Sequence, residues 1–444
     1  MPELNRSIGL SRATAMVVGI IIGASIFVQP SAVTAQVPTV RGALIVWLAA
    51  GFLTLIGSLV VAELSSAFPR TGGVYVFLSE SYSPAAGFLW GWAMFWTMHS
   101  GIVAVIAMVF ARYAGTFIEL GDPGLRVVAV SAIALLSWLN YRGVRQASAV
   151  QVALTTFKVL ALVGIIAIAC YHVALHGDVS ATVPLAGATT APTPRAFVLA
   201  LIAGLFAFGG WHMVSYAAAE TVDPTRTIPR ALLIGTLTVT VLYVGVNAAY
   251  LFVLPLGTVA SSTRVAADFA DVAIGGSGGE IMAVLVILST LGAMNGVILA
   301  GPRVYLAMAN DGLLFRWAGA VHPVHRTPHR AIVLQAVWSS VLVVTGTYRA
   351  LFTRVVYTEW IFFGLLAAAL FLLRRRADYR PAYRVWGYPL LPALFALSSA
   401  GIVINQIMHE PADSMWGLGL VLAGLPVYYL WTRGNQMPTR RSGS

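Results

Sequence analysis

Long apolar runs with almost no charge inside them recur along this chain, and they constrain its fold more than any other feature. Twelve such stretches fall near 13–36, 43–67, 84–112, 125–140, 149–174, 196–220, 231–253, 280–308, 330–346, 350–373, 389–408 and 415–432. A helix needs about 20 mostly apolar residues to cross the hydrocarbon core. Backbone groups in lipid must be satisfied internally, which leaves helices and closed barrels as spanning structures. The runs here are continuous, whereas a barrel strand reads as about 10 residues of alternating polarity. The expected fold is therefore all-α integral membrane, twelve transmembrane helices in one domain covering 1–444. Charged residues make up only 10% of the chain, against about 25% in a soluble domain. That leaves no material for a separate water-facing domain.

The formal net charge of +11 would suggest nucleic acid in a soluble protein. Here the basic residues sit in short loops between apolar runs, so they read as topology signals and lipid-headgroup contacts, with no nucleic acid partner. With the N-terminus placed in the cytoplasm, nineteen arginines fall on the inner side and seven (Arg41, Arg112, Arg126, Arg195, Arg264, Arg349, Arg354) on the outer. This positive-inside asymmetry predicts a multi-pass protein of the cell membrane with both termini cytoplasmic. Residues 1–12 predict no cleavable signal peptide. The one cysteine, Cys170, excludes an internal disulfide and a thiolate metal site. The segments 175–195 and 254–279 read as outer loops, and 436–444 as a tail.

The first and sixth runs share an interruption. The first contains Gly19-Ile20-Ile21-Ile22-Gly23-Ala24-Ser25-Ile26-Phe27, and the sixth Leu205-Phe206-Ala207-Phe208-Gly209-Gly210-Trp211. Glycine lowers helix propensity by about 1 kcal/mol, and unwound backbone at membrane depth survives only where it lines a cavity or is packed in protein. An unwound turn offers N–H groups at one half-helix end and carbonyls at the other, which suit the carboxylate and the ammonium of a zwitterion. Small residues also serve close helix packing; a single cluster would be read that way. Two clusters five spans apart point instead to an inverted-repeat transporter site. The expected architecture is five-plus-five inverted repeats with broken helices 1 and 6, repeat 1 over about 13–174, repeat 2 over about 196–373, plus two C-terminal helices over about 389–432.

Several motifs resemble those of the amino acid–polyamine–organocation superfamily, and within it the L-type amino acid transporters and their bacterial relatives. They are Ile22-Gly23-Ala24-Ser25-Ile26-Phe27-Val28, Ala62-Glu63-Leu64 through Pro69-Arg70-Thr71-Gly72-Gly73-Val74-Tyr75, Phe206 to Trp211, and Glu220 to Pro229. The resemblance spans roughly 8–410. It implies that the substrate carboxylate meets N–H groups of Gly23, Ala24 and Ser25, with Ile26 beside them. The ammonium would meet carbonyls of Ile21, Phe206, Ala207 and Gly209, with Phe206 also an aromatic lid. Asn295 and Trp360 match positions near the substrate side chain or its support. The chain departs from the family pattern at Ser25, where the family has glycine. It departs again at Glu359 and His212, where close animal relatives carry neutral polar residues. Small or medium neutral amino acids are the expected substrates, and Glu359 in the pocket keeps cationic amino acids, polyamines and amines open.

Lys158 lies about ten residues into its span, and a charge there costs at least about 2.5–3.5 kcal/mol. The family has a lysine at this position, its amine standing in for a sodium ion, so the resemblance implies sodium-independent transport. Snorkelling to an interface is the alternative, and proton coupling through Lys158 or Glu359 remains open. Glu63, Arg70, Glu220, Asp223, Arg303 and Asp311 read as an inner-gate ion-pair network or, equally, as solvated loop charge. His99 reads as a satisfied core residue. His322, His325 and His329 are poorly spaced for a metal, so neither metal nor cofactor is expected. Trp47, Trp416, Tyr428, Tyr429 and Trp431 read as interface anchors.

No catalytic motif or nucleotide loop is present in the sequence, so an enzyme is not expected. A channel would want repeated filter carbonyls or a charge ring in an oligomer. A non-transporting amino-acid sensor on the same scaffold is the remaining alternative. Some animal relatives join a glycoprotein through a loop cysteine; residues 113–124 contain none, so no obligatory accessory subunit is expected. The combined reading is a secondary active amino acid permease or exchanger of a bacterial inner membrane.

Overall fold

A computed structural model describes residues 4–177, 193–276, 278–347, 350 and 354–434. Most of the outer segment 175–195, Arg349, the start of the tenth run and the tail 436–444 lie outside the described residues. Among the described residues the chain is all helix, with one isolated bridge between Ile8 and Thr221 and no strand. Nine helices are long and apolar enough to cross a membrane, and three shorter apolar ones (Leu10–Ile21, His329–Thr345 and Thr358–Leu373) accompany them.

In chain order the helices are α1 (Leu10–Ile21), α2 (Gln29–Gln36), α3 (Val40–Ala67), α4 (Val74–Ser81), α5 (Pro84–Ala114), α6 (Asp122–Arg142), α7 (Val144–His176), α8 (Pro194–Ala207), α9 (Pro224–Val253), α10 (Leu256–Ser261), α11 (Val265–Ala273), α12 (Gly278–Ala300), α13 (Pro302–Asn310), α14 (His329–Thr345), α15 (Thr358–Leu373), α16 (Leu390–His409), α17 (Pro411–Leu422) and α18 (Gly424–Gly434). Local signals set many of the starts. Thr39, Ser83 and Thr193 each accept the N–H three residues on with a side-chain oxygen, which satisfies an orphan donor of the first turn. Pro84, Pro123, Pro194, Pro302 and Pro411 sit in first turns, where a missing N–H costs nothing.

The segment 254–279 is not simply loop. It folds into α10 and α11, because Val265, Ala266, Phe269 and Ala270 form one apolar face that the bundle buries. Phe269 meets Tyr250 of α9 edge-on at 5.5 Å. A period of about 3.6 over nine residues is enough when a neighbour covers the face.

The centre of the bundle is α1, α3, α9 and α12. The α3 and α9 helices pack along most of their length, with Ser58 Oγ and Thr236 Oγ1 hydrogen-bonded at 2.8 Å between them. By contrast, α7, α16 and the Pro411–Arg433 pair bury little of their apolar surface. Leu160, Tyr171, Leu397, Met408 and Trp416 point outward, as side chains facing lipid do. Trp47 is a correction: it is fully buried against Phe208 and Tyr243, not an interface anchor. Its indole fills the gap between α3 and the segment after α8, a packing role that sequence position alone does not reveal.

Candidate functional site

The site begins where α1 stops. After Ile21 the chain leaves the helix, makes a single 3₁₀ turn over Ser25–Phe27, and resumes as α2 at Gln29. The hydrogen bonds across this stretch run from Ile22 N–H to Val18, Gly23 N–H to Ile21, Phe27 N–H to Ala24 and Val28 N–H to Ser25. Among these bonds none uses the N–H of Ala24, Ser25 or Ile26. A second departure follows α8: it ends at Ala207, and a 3₁₀ segment runs over Trp211–Glu220. Gly210 between them has φ 90°, and a Cβ there would lie 2.4 Å from Ile20 Cγ2. Only glycine both adopts this left-handed backbone freely and lets the second departure lie directly on α1.

Three side chains hold these segments. Lys158 of α7, 2% exposed, donates from Nζ to the carbonyls of Gly19 at 2.9 Å and Ile22 at 2.6 Å. Ser289 of α12 approaches the Ile22 and Gly23 carbonyls at 3.3 and 3.2 Å. The Tyr243 hydroxyl of α9 lies 3.0 Å from the Ile21 carbonyl and 3.2 Å from that of Ala207, so its one proton is shared between the two departures. A Cβ on Gly292 would stand 2.8 Å from Lys158 Cε; glycine there is what lets the ammonium reach α1 past α12. Tyr243, Ser289 and Gly292 were not singled out from the sequence, because a tyrosine, a serine or a glycine in an apolar run carries no pattern of its own.

A cavity of about 280 Å³ opens between the two departures. Ile21, Gly23, Ala24, Ser25, Phe206, Ala207, Gly209, Glu359 and Trp360 all line it. Ile102, Val105, Ile106 and Val356 supply apolar wall. Phe206 is 44% exposed. Trp360 packs on Phe363 and Phe395. The Glu359 carboxylate lies in the wall with no hydrogen bond or ion pair among the described residues. His99 also lines the cavity; it is fully buried, and its Nε2 has no partner among the described residues, so it is only half satisfied, through Nδ1 and Tyr305, where the sequence predicts a satisfied core residue. Two expected residues lie apart. Ile26 is buried behind the turn, off the cavity wall. Asn295 faces away, accepting from Asn140 at 2.9 Å and donating to Gln151 at 2.8 Å and to the Ala147 carbonyl. It joins α12 to α6 and α7.

The charged residues expected at a gate form separate clusters. Glu220 and Arg303, 0% and 1% exposed, make a bidentate pair at 2.6 and 2.8 Å. Glu63 is also buried, but its partner is Arg374, through two bonds of 2.9 and 2.6 Å, with the Val385 N–H adding a third. Arg70 meets Glu80 at 2.8 Å and Asp311 at 3.7 Å, both solvent-exposed contacts. Tyr75 donates to Asp311 at 2.8 Å; burial, and then the Asp311 charge, hold its phenol well above the usual range, so it stays a donor. Asp223 meets exposed Arg226 at 3.9 Å and accepts from the Thr225 hydroxyl at 2.9 Å. Glu80 and Arg374 were missed, since surface-loop charges look alike in a sequence.

Comparison with known proteins bears directly on this geometry. The model of the amino acid permease family matches residues 8–425. The chain belongs to that family. The permease is 32% identical to the human large neutral amino acids transporter small subunit 2, over 96% of this chain and 80% of the relative. It is 31% identical to the mouse Asc-type amino acid transporter 1, over 96% and 81%. It is 30% identical to the serine/threonine exchanger SteT of Bacillus subtilis, over 96% and 97%. The permease is thus a multi-pass membrane transporter of the amino acid–polyamine–organocation superfamily, most like the L-type branch.

Proposed function

We propose that the permease exchanges small or medium neutral amino acids across a bacterial inner membrane without sodium. The observation that carries this reading is the cavity between the two helix departures, with the backbone N–H groups of Ala24 and Ser25 at its edge and Lys158 seated on the carbonyls of Gly19 and Ile22. A substrate carboxylate fits the N–H groups of Ala24 and Ser25. The Gly23 N–H is engaged by Ile21, so the carboxylate site keeps Ala24 and Ser25 of its sequence-based position and loses Gly23. The substrate ammonium fits the carbonyl oxygens of Phe206, Ala207 and Gly209, with Ile21 beside them. A lysine ammonium on Gly19 and Ile22 supplies the positive charge that a metal cation would bring, which is why sodium is not required.

The twelve-span, five-plus-five reading is supported by the nine long helices together with the three shorter ones. The departures after α1 and α8 and the pairing of α3 with α9 support it as well. In this reading both termini are cytoplasmic, and Glu220–Arg303 and Glu63–Arg374 close the inner end. Phe206 covers the cavity from outside. Two of the relatives above are named for large neutral amino acids and for serine and threonine, which favours neutral substrates over amines. The bacterial relative is covered almost end to end, and the permease is read as working without an accessory subunit.

The test is uptake of a labelled amino-acid panel into sodium-free proteoliposomes, either empty or preloaded with unlabelled amino acid, with and without a pH gradient. Uptake only into preloaded vesicles is the expected result. Uptake into empty vesicles driven by an inward proton gradient replaces exchange with symport. No uptake of any amino acid overturns the transport reading.

A further inference from the structure

The largely apolar wall of the cavity includes two polar groups without partners among the described residues. Glu359 of α15 presents a carboxylate with no hydrogen bond or ion pair among the described residues. His99 of α5 lines the same cavity, 0% exposed, with Nε2 unpartnered. Its other nitrogen, Nδ1, is 3.3 Å from the Tyr305 hydroxyl. That hydroxyl donates to the Met94 carbonyl at 3.4 Å; Nδ1 then carries the imidazole proton and Nε2 faces the cavity as an acceptor, whereas the other tautomer makes Nε2 a donor. The Tyr216 ring packs on the His99 ring at 5.6 Å.

From this geometry we propose that Glu359 and His99 form a side-chain subsite for amino acids bearing a hydroxyl. The proposal rests on the amino-acid transport reading and names the substrate class within it. A carboxyl group accepts through its oxygens and, when protonated, donates as well, and Nε2 accepts or donates with the tautomer. A hydroxyl both donates and accepts, so it can pair with either group. An aliphatic side chain of equal size leaves both polar groups desolvated and unpaired, which is the situation in which a site rejects an isostere lacking the hydroxyl. An ammonium donates only and lacks the acceptor that a hydroxyl offers, and the cavity of about 280 Å³ favours a short side chain.

Threonine and valine are isosteric, so their ratio reads the subsite directly. The experiment is counterflow exchange in proteoliposomes with threonine, valine, serine, alanine and lysine, for the wild-type permease, Glu359→Gln and Glu359→Leu. The expected result is at least tenfold higher kcat/KM for threonine than for valine in the wild type. The ratio should stay within a few-fold in Glu359→Gln, which keeps an acceptor oxygen, and fall toward one in Glu359→Leu. Thermal stabilisation of each purified variant by threonine and by valine gives the same ratio without transport, and covers a variant that binds but does not move. Equal use of threonine and valine by the wild type, or an unchanged ratio in Glu359→Leu, overturns the subsite while leaving amino-acid exchange intact. Lysine strongly preferred over threonine, with that preference lost in Glu359→Gln, overturns it in favour of a cation-selective pocket. Exchange of no amino acid at all overturns the transport reading and the subsite together.

Discussion

The polar ends of Lys158 and Tyr243 each bond backbone carbonyls rather than another side chain, and that makes them sensitive positions. Lys158 holds two carbonyls where α1 ends; without the ammonium the Gly19 oxygen stays buried and unpaired and the Ile22 oxygen keeps only Ser289. Lys158→Ala is expected to lower exchange at least tenfold, and unchanged exchange by the purified variant would remove the residue from the mechanism. Gly292→Ala should act on the same contact from the other side, since its Cβ would press on Lys158; a several-fold loss, smaller than for Lys158→Ala, is the expected outcome of the same assay. Tyr243→Phe keeps the ring packed on Trp47 and Phe208 and removes only the hydroxyl between Ile21 and Ala207. The expected signature is a several-fold higher KM with an intact melting temperature, because the two departures lose their shared proton while the core keeps its shape. A drop in stability with unaltered KM would assign Tyr243 to packing alone.

Among elements, the inner end of the bundle is held by two buried ion pairs of different reach. Glu220–Arg303 ties the end of the 3₁₀ segment to α13, and Glu63–Arg374 ties α3 to the end of α15. Removing one partner of a fully buried pair leaves an uncompensated charge and costs about 3–5 kcal/mol, whereas removing both together costs much less. Glu220→Ala and Arg303→Ala should therefore each lower the melting temperature in detergent by several degrees, with the double variant more stable than either single one. Additive losses would mean that the two side chains act independently. Arg70–Glu80, at the surface, belongs to the class worth about 1 kcal/mol or less. The lesson from α10 and α11 also belongs at this scale. Gly, Ser and Thr between apolar runs mark a segment as non-spanning, but whether it forms short helices depends on a neighbour covering one face.

For the molecule as a whole, the proposed topology makes a direct labelling prediction. With Cys170 replaced by Ser, single cysteines at Ser11 and Arg433 should react with a membrane-impermeant thiol reagent from one side only, and one at Thr263 from the other. Ser11 and Arg433 reacting from opposite sides would break the even span count on which the inverted-repeat reading stands. The exposed apolar flanks of α7 and α16, beside a well-buried α3 and α12, fit a bundle whose centre carries the site and whose periphery faces lipid.

Much of this was legible in the residues themselves. The scarcity of charge and the length of the apolar runs determined an all-helical membrane domain, because each span satisfies its own backbone in lipid. The Gly-rich interruptions at 19–25 and 209–210 marked where the helices give way, since helix propensity is local. A lysine at 158 announced itself by the cost of charge in an apolar run. What the tertiary structure alone decided is which groups meet. Asn295 turns to α6 and α7 instead of the cavity, Glu63 finds Arg374 over 300 residues away, and Tyr243 reaches both departures at once. Pairings of that kind depend on the angle and depth at which helices pack. Those are fixed by the fit of many side chains together, which no run of neighbouring residues encodes.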